Sequence, residues 1–371
     1  MPDHVKPSRL LTRLNTEIAD AGTQIAADCK RAERAAYLAR LGRIDDAKST
    51  VAALHQRYEK RPDIEVSIWV HLVEGLICHF SNMDPAARDK IQRAHALSTA
   101  ADLRPLRALS AAWLAHMEYL GASVEPMTKH IFEALRLAKN QDFSALARVC
   151  LVVAQALHIA GRPDLARAWY GRARDNAILD GDDLTTSALM HNMAWLKCHS
   201  LRQRVLCKVG PYEDHEHSLL GAESAGDFDA RIGSVSLRTL VPILRAQILA
   251  ARGRPKEALD LYQANLSVAL TQGMMRLQAD LLADRGWCRL QMGQEIEARR
   301  DALAAEASID PIGQFDDRAL AHSRLAQLFA GLGDERSSMR HLDLAGRAWA
   351  GHNVFQVRML VALADVQLPA I

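Results

Sequence analysis

Residues 250–262 read AARGRPKEALDLY, and the same phrase returns along the chain: LARLGRIDDA at 38–47, IAGRPDLARAWY at 159–170, QMGQEIEAR at 291–299 and AGLGDERSSM at 330–339. Each copy is an Ala/Leu-rich run, a glycine turn and a second Ala-rich run. The turn glycines are Gly42, Gly161, Gly253, Gly293 and Gly333; Gly121 joins them, and Asn82 takes the same place. Asn is the next-best residue after Gly for a left-handed helix-ending position. Successive turns are 40, 39 and 40 residues apart from 42 to 161, and again 40 and 40 from 253 to 333. The gap from 161 to 253 is 92, two periods plus 12, which predicts a fifth repeat with its turn near Leu201 and an insertion over about 202–214.

Two further columns move with the turns. Seven residues before them stand Ala35, Gly75, Leu114, Ala154, Ala246, Gly286 and Ala326; five residues after stand Ala47, Ala87, Pro126, Ala166, Ala258, Ala298 and Ser338. Side chains this small let two helix backbones approach closely, so the columns are expected to face each other across each helical hairpin.

This small–turn–small pattern resembles the tetratricopeptide repeat (TPR), with Tyr170 and Tyr262 matching the aromatic of its second helix. The resemblance covers residues 28–350. The period departs from it, since the usual TPR has about 34 residues and 40 implies longer helices. HEAT-like repeats of about 40–47 residues are the alternative; the Gly-x-x-x-x-Ala signature favours the TPR-like reading. The fold class expected is all-α, a right-handed α-solenoid of about eight helix–turn–helix repeats with terminal extra helices. The expected layout is one solenoid over 1–371: a capping region at 1–27, eight repeats over 28–350, and a C-terminal helix at 353–368. In the first helix, over 8–21, Leu11, Leu14 and Ile18 share a face, as suits a cap. In the last, Val354, Phe355, Val357, Met359, Leu360, Val361, Leu363 and Val366 point in almost every direction, which demands a partner on more than one side.

Composition agrees. Apolar residues make up 49% and aromatics 5%, a mixture rich in good helix formers. Net charge is +2, from 46 basic and 44 acidic residues without a basic stripe, so no nucleic-acid partner is expected. The charged N-terminus lacks the apolar core of a signal peptide, and no membrane span is read, so a cytoplasmic location is expected. Cys29, Cys78, Cys150, Cys198, Cys207 and Cys288 fall inside helical patterns and read as small apolar residues in a reducing compartment.

The TPR register implies that certain first-helix positions line a concave groove. Counted back from each turn, these are Trp69, Leu72, Leu76, His79 and Phe80, then Glu118 and Tyr119, then Arg148, Gln155 and His158. The later repeats contribute His191, Trp195, Cys198 and His199, then Gln247, Asp280, Trp287, Gln291 and Gln327. Aromatic anchors mixed with hydrogen-bonding groups suit a bound peptide or partner helix; the plainer alternative is that they fill gaps between repeats. A line of Lys and Arg, which the chaperone-binding members of the class use on a peptide carboxylate, is missing.

Cofactors, metals and catalysis are not expected. The fifth repeat gathers Cys198, His199, Cys207, His215 and His217, but with no Cys-x-x-Cys the segment reads as a solvated loop. No phosphate loop, His-Glu-x-x-His or nucleophile elbow occurs. Asp45-Asp46, Asp182-Asp183 and Asp316-Asp317 stand where helices should start, and there carboxylates cap free N–H groups. The function expected is a non-catalytic interaction scaffold that binds a peptide or partner helix. The alternative is a ligand-responsive regulatory module acting on a signalling or transcription partner. The unmatched apolar side of the last helix predicts self-association or the docking of a further domain.

Overall fold

The computed structural model describes residues 7–208, 215–235 and 238–369, and among them helices alternate with short turns and no strand occurs. A short helix, α1 (Arg9–Ala19), is capped by Ser8, whose hydroxyl accepts from the Leu11 amide at 3.3 Å. Helix pairs follow: α2 (Gln24–Leu41) with α3 (Ile44–Tyr58), α4 (Ile64–Asn82) with α5 (Ala86–Ala100), α6 (Arg104–Leu120) with α7 (Val124–Leu137), and α8 (Phe143–Ile159) with α9 (Pro163–Asp180). The next are α10 (Asp183–Cys207) with α11 (His215–Ile232), α12 (Leu240–Ala251) with α13 (Pro255–Ala269), α14 (Gln278–Gln291) with α15 (Glu295–Ala307), and α16 (Phe315–Gly331) with α17 (Glu335–Leu363). Over the described residues the molecule is an all-α helical-repeat structure of eight such pairs.

Each hairpin closes in the way the repeated phrase requires. After Leu41 the chain turns at Gly42 (φ 87°), and the Arg43 amide reaches back to the Leu38 carbonyl at 2.9 Å. The same reach recurs from Arg162 to Leu157, Arg254 to Leu249, Gln294 to Arg289 and Asp334 to Phe329. A left-handed residue there satisfies carbonyls that the helix end would otherwise leave open. Two turns shift by one residue. Asn82 ends its helix and Met83 (φ 56°) takes the left-handed position, while Gly121 stays at φ −84° and Ala122 (φ 53°) follows it.

The small columns face each other. A Cβ on Gly75 would stand 2.5 Å from Ile91 and 3.0 Å from the Ala87 carbonyl, and one on Gly286 would meet Asp301 at 3.0 Å and the Ala298 carbonyl at 3.3 Å. The Ser338 hydroxyl donates to the Ala326 carbonyl at 2.9 Å across the last hairpin. In the third repeat the buried residue after the turn is Met127, not Pro126, consistent with the one-residue shift at Ala122.

Two compact units form. The first holds the helices up to Leu189 in α10, the stretch from Asp227 at the end of α11, and the chain from Arg358 on. Its row of first helices stacks α2 on α4, α4 on α6 and α6 on α8. A separate apolar cluster of Leu10, Leu14, Tyr37, Leu41, Leu184 and Ile232 binds the capping helix. The second unit holds Met190–Gly226 and Leu237–Val357, with α12 stacked on α14 and α14 on α16.

Three expectations change. There is no turn near Leu201: it is a buried residue inside α10, which runs unbroken for 25 residues because LRQRVLC holds no helix breaker. Of the expected insertion, 202–207 is helix and 209–214 lies outside the described residues, as do the side chains of His215 and His217. The C-terminal stretch 353–368 is no separate helix: 353–363 is the last part of the 29-residue α17, which ends at Leu363. One helix, α4, is long and apolar enough by composition to cross a membrane; here it supplies Val66, Ile68, Leu72, Val73 and Leu76 to the core.

Candidate binding site on the first-helix row

In the first unit the first helices do not merely stack; their side chains converge. Arg40, in the last turn of α2, makes a forked pair with Asp182 at 2.8 and 3.2 Å, and also donates to the Thr185 hydroxyl at 2.9 Å. Arg9 reaches Asp183 at 3.2 Å and Arg13 reaches Asp180 at 2.8 Å. The Val235 amide donates to the Leu41 carbonyl. The capping helix and repeat one are thereby tied to the end of α9 and the start of α10.

Between these ties lies an aromatic and cationic cluster. The Arg148 guanidinium of α8 stacks 3.8 Å from the Trp113 ring centroid, and that of Arg40 lies 5.9 Å from it. Phe80 and His116 pack edge-on to Trp113 at 6.2 and 5.8 Å, and His79 meets His116 at 5.5 Å. Burial, with the positive charge of Arg148, pushes His79 down to about 4 and His116 well below the usual histidine range. Both rings are therefore neutral at pH 7. Burial also lowers Arg148 itself, to about 9.

Of the sequence-derived candidates, His79, Phe80 and Arg148 belong to this cluster. Trp69 sits in the apolar core, 8% exposed. Gln155 is buried farther along α8, and His158 stands beside Tyr170, with 3.4 Å between Nδ1 and the phenol oxygen. Tyr119 is half-buried at the end of α6. Trp113, His116 and Arg40 were missed, because offsets taken from a shorter repeat do not follow the face of a longer helix. The signal available was Trp113-x-x-His116, one polar-aromatic pair on one face of an otherwise Ala/Leu helix.

The second unit buries its own charges. Arg202 of α10 forks onto Asp280 at 2.7 and 2.6 Å and reaches Asp284 at 2.9 Å, while Arg324 of α16 holds Asp284 at 2.7 Å. Burial pushes Asp280 up, whereas the two arginines hold Asp284 below the usual carboxylate range against that burial. Three further candidates join this network. Gln247 donates to Asp280 at 3.3 Å, Gln327 accepts from Arg324 at 2.8 Å, and Trp287 lies 5.4 Å from the Arg324 guanidinium. Trp195 packs 5.3 Å from His199, whose Nε2 is 3.2 Å from Asp316. His191 is half-buried on α10.

The acidic pairs do open helices, at α3, α10 and α16, but Asp182 and Asp316 also face basic groups from other repeats. Among the described residues one group has metal-ligand chemistry: His95 of α5 with His130 and Glu133 of α7, their ligand atoms within 4.8 Å of one another. Arg107 already donates to the Glu133 carboxylate at 2.7 Å. All six cysteines are free thiols, four buried and two half-buried.

A solved structure, a Rap protein complexed with competence and sporulation factor, shares this architecture with a TM-score of 0.50. It covers 88% of this chain and 99% of its own, at 11% identity. The chain has the TPR-like helical-repeat fold. No protein family matches the sequence, and no curated protein does either.

Proposed function

We propose that this protein is a non-catalytic interaction module that holds a peptide or partner segment along the first-helix faces. The observation that carries the reading is the cluster in the first unit, where Phe80, Trp113, His79, His116 and Arg148 from three successive repeats meet at one place. Aromatic rings with a planar cation among them are the groups that dominate interface energies when desolvated. Tyr119 and His158 extend this row, and Gln155 and Trp69 back it from within the first unit; His191, Trp195, His199, Gln247, Trp287 and Gln327 belong to the second unit's own row of first helices. The Rap structure, bound to competence and sporulation factor, supports a binding role for a chain of this fold.

The test is selection of a random peptide library displayed on phage against the purified chain, repeated with Phe80→Ala and Trp113→Ala. Enrichment lost in both variants, and kept in the surface variant Leu179→Ala, supports the reading. Equal enrichment on all four proteins sinks it.

A regulatory version has an observation of its own. The ties from the capping helix and repeat one run to Asp180, Asp182 and Asp183 where α9 ends and α10 begins, and Arg40 belongs both to them and to the cluster, so a ligand that engages Arg40 or Arg148 competes with them. Binding then loosens or tightens the closure, which a second protein can read. Scattering profiles that stay identical with and without a selected peptide count against it.

The protein is also proposed to self-associate through α17. Met339, Leu342, Gly346, Ala350, Val354 and Val357 follow one another at helical three- and four-residue steps, and all are exposed. Apolar side chains at that spacing form a seam, and Gly346 and Ala350 at its middle let a second copy of the same helix approach closely.

A further inference from the structure

The two buried charge clusters differ in their balance. In the second unit two arginines, Arg202 and Arg324, face two carboxylates, Asp280 and Asp284. In the first unit Arg40 and Arg148 face only one, Asp182, and that carboxylate is already taken by Arg40 and Thr185. Arg148 is 5% exposed, and among the described residues it forms no hydrogen bond or ion pair; its Nε is a buried donor without an acceptor. What it has is the Trp113 ring at 3.8 Å. His79 and His116 beside it are neutral and compensate nothing.

An uncompensated guanidinium inside a protein is costly, because burial strips its water and nothing returns the lost interactions. A carboxylate supplied from outside removes that cost. The charge count asks for one negative charge, and the surroundings offer suitable donors: the guanidinium fork, lying over the Trp113 ring, and the His116 Nδ1, a second buried atom lacking a partner, which donates in the Nδ1–H tautomer.

We propose that Arg148, stacked on Trp113 and flanked by His116, is the receptor for one carboxylate of the bound ligand. The assignment rests on the first-helix reading above and specifies its chemistry. It differs from a line of surface lysines and arginines: the recognition element is a single buried cation whose partner is missing until the ligand arrives.

The experiment is thermal unfolding of the full chain in chloride buffer, with sodium acetate or inorganic phosphate added at constant ionic strength. Acetate is expected to raise the melting temperature of the wild type in a concentration-dependent way. Arg148→Met, which replaces an orphan charge with an apolar chain of similar length, should melt about 2 °C higher than wild type in chloride and show no acetate response. Arg148→Lys keeps the charge but loses the flat stack, and its response should be smaller than that of the wild type. The assignment is overturned by a wild type indifferent to acetate, by an acetate response that persists in Arg148→Met, or by an Arg148→Met chain that melts lower or fails to fold. A phosphate response exceeding the acetate response reassigns the site to a phosphoryl group and overturns the carboxylate. Peptide enrichment that depends on Phe80 and Trp113 without any anion response sinks this inference alone; loss of both sinks the first-helix reading as well.

Discussion

Arg40 and Asp182 stand 142 residues apart in sequence and form a forked pair at 2.8 and 3.2 Å, the carboxylate buried and the arginine half-buried. Arg40 ends the first helix of repeat one and Asp182 immediately precedes the first helix of repeat five, so the bond spans the whole of the first four repeats. Its two partners are not equivalent. Asp182→Asn leaves Arg40 and Arg148 together without a carboxylate, whereas Arg40→Met leaves Asp182 with Arg148 nearby. Removing one side of a buried pair costs about 3–5 kcal/mol. Denaturant unfolding should therefore show that order of loss for Asp182→Asn and a clearly smaller one for Arg40→Met; equal losses refute the shared-carboxylate picture.

Stability should fall on mild acidification. His79 and His322 are both held down to about 4, chiefly by burial, the first also by Arg148 and the second by His341, whose Nδ1 is 2.9 Å from its own. A histidine whose folded pKa lies below its unfolded value near 6.5 favours the folded state while neutral. Its contribution is complete above about pH 6.5 and is lost as pH falls from there through 4. For His79 the full span is on the order of 3 kcal/mol. Melting temperatures measured across this window should drop, and His79→Gln should flatten the drop; a profile level from pH 7 to 4 contradicts the burial of these rings.

The glycines divide by surroundings. A Cβ at Gly75 would stand 2.5 Å from an Ile91 carbon and one at Gly286 would stand 2.8 Å from Leu328, while at Gly171 in α9 nothing lies within 4 Å. Gly75→Ala and Gly286→Ala are expected to destabilise by about 1–3 kcal/mol through overpacking. Gly171→Ala should stabilise by about 0.5–1 kcal/mol, because Ala suits a helix interior better. Urea midpoints for the three variants decide this, and a stabilised Gly75→Ala would mean that the hairpin can open.

The α17 seam predicts a dimer that a single charge removes. Val354 and Val357 are 69% and 62% exposed. Light scattering should report a dimer for the wild type and a monomer for Val354→Asp, with little change in melting temperature beyond that of dissociation. A wild-type monomer at high concentration rejects the seam as an interface between copies.

Much of the repeat architecture was legible because it depends on neighbours in sequence. A glycine, a small residue seven before it and another five after it describe one hairpin completely, and Gly75 against Ala87 or Ala326 against Ser338 meets as the columns required. The slips at Met83 and Ala122 are single-residue shifts of the left-handed position, within what several side chains tolerate. The long α10 was misjudged for another reason: counting periods demanded a turn near Leu201, while the local sequence contains nothing to stop a helix.

The candidate site was legible only in kind. Polar and aromatic residues on the first helices do cluster, but which of them meet depends on how far each 40-residue repeat rotates against the next. That rotation sums many side-chain contacts and is written in no single motif. The sequence alone therefore settles the all-α class, the hairpin and its small-residue seams, since each follows from backbone conformation and close approach between adjacent helices. Only the tertiary structure decides that Arg40 finds Asp182 and that Arg148 lies on Trp113 without a carboxylate. Those pairings join residues from different repeats, and their energies depend on burial and charge balance that no local stretch of chain contains.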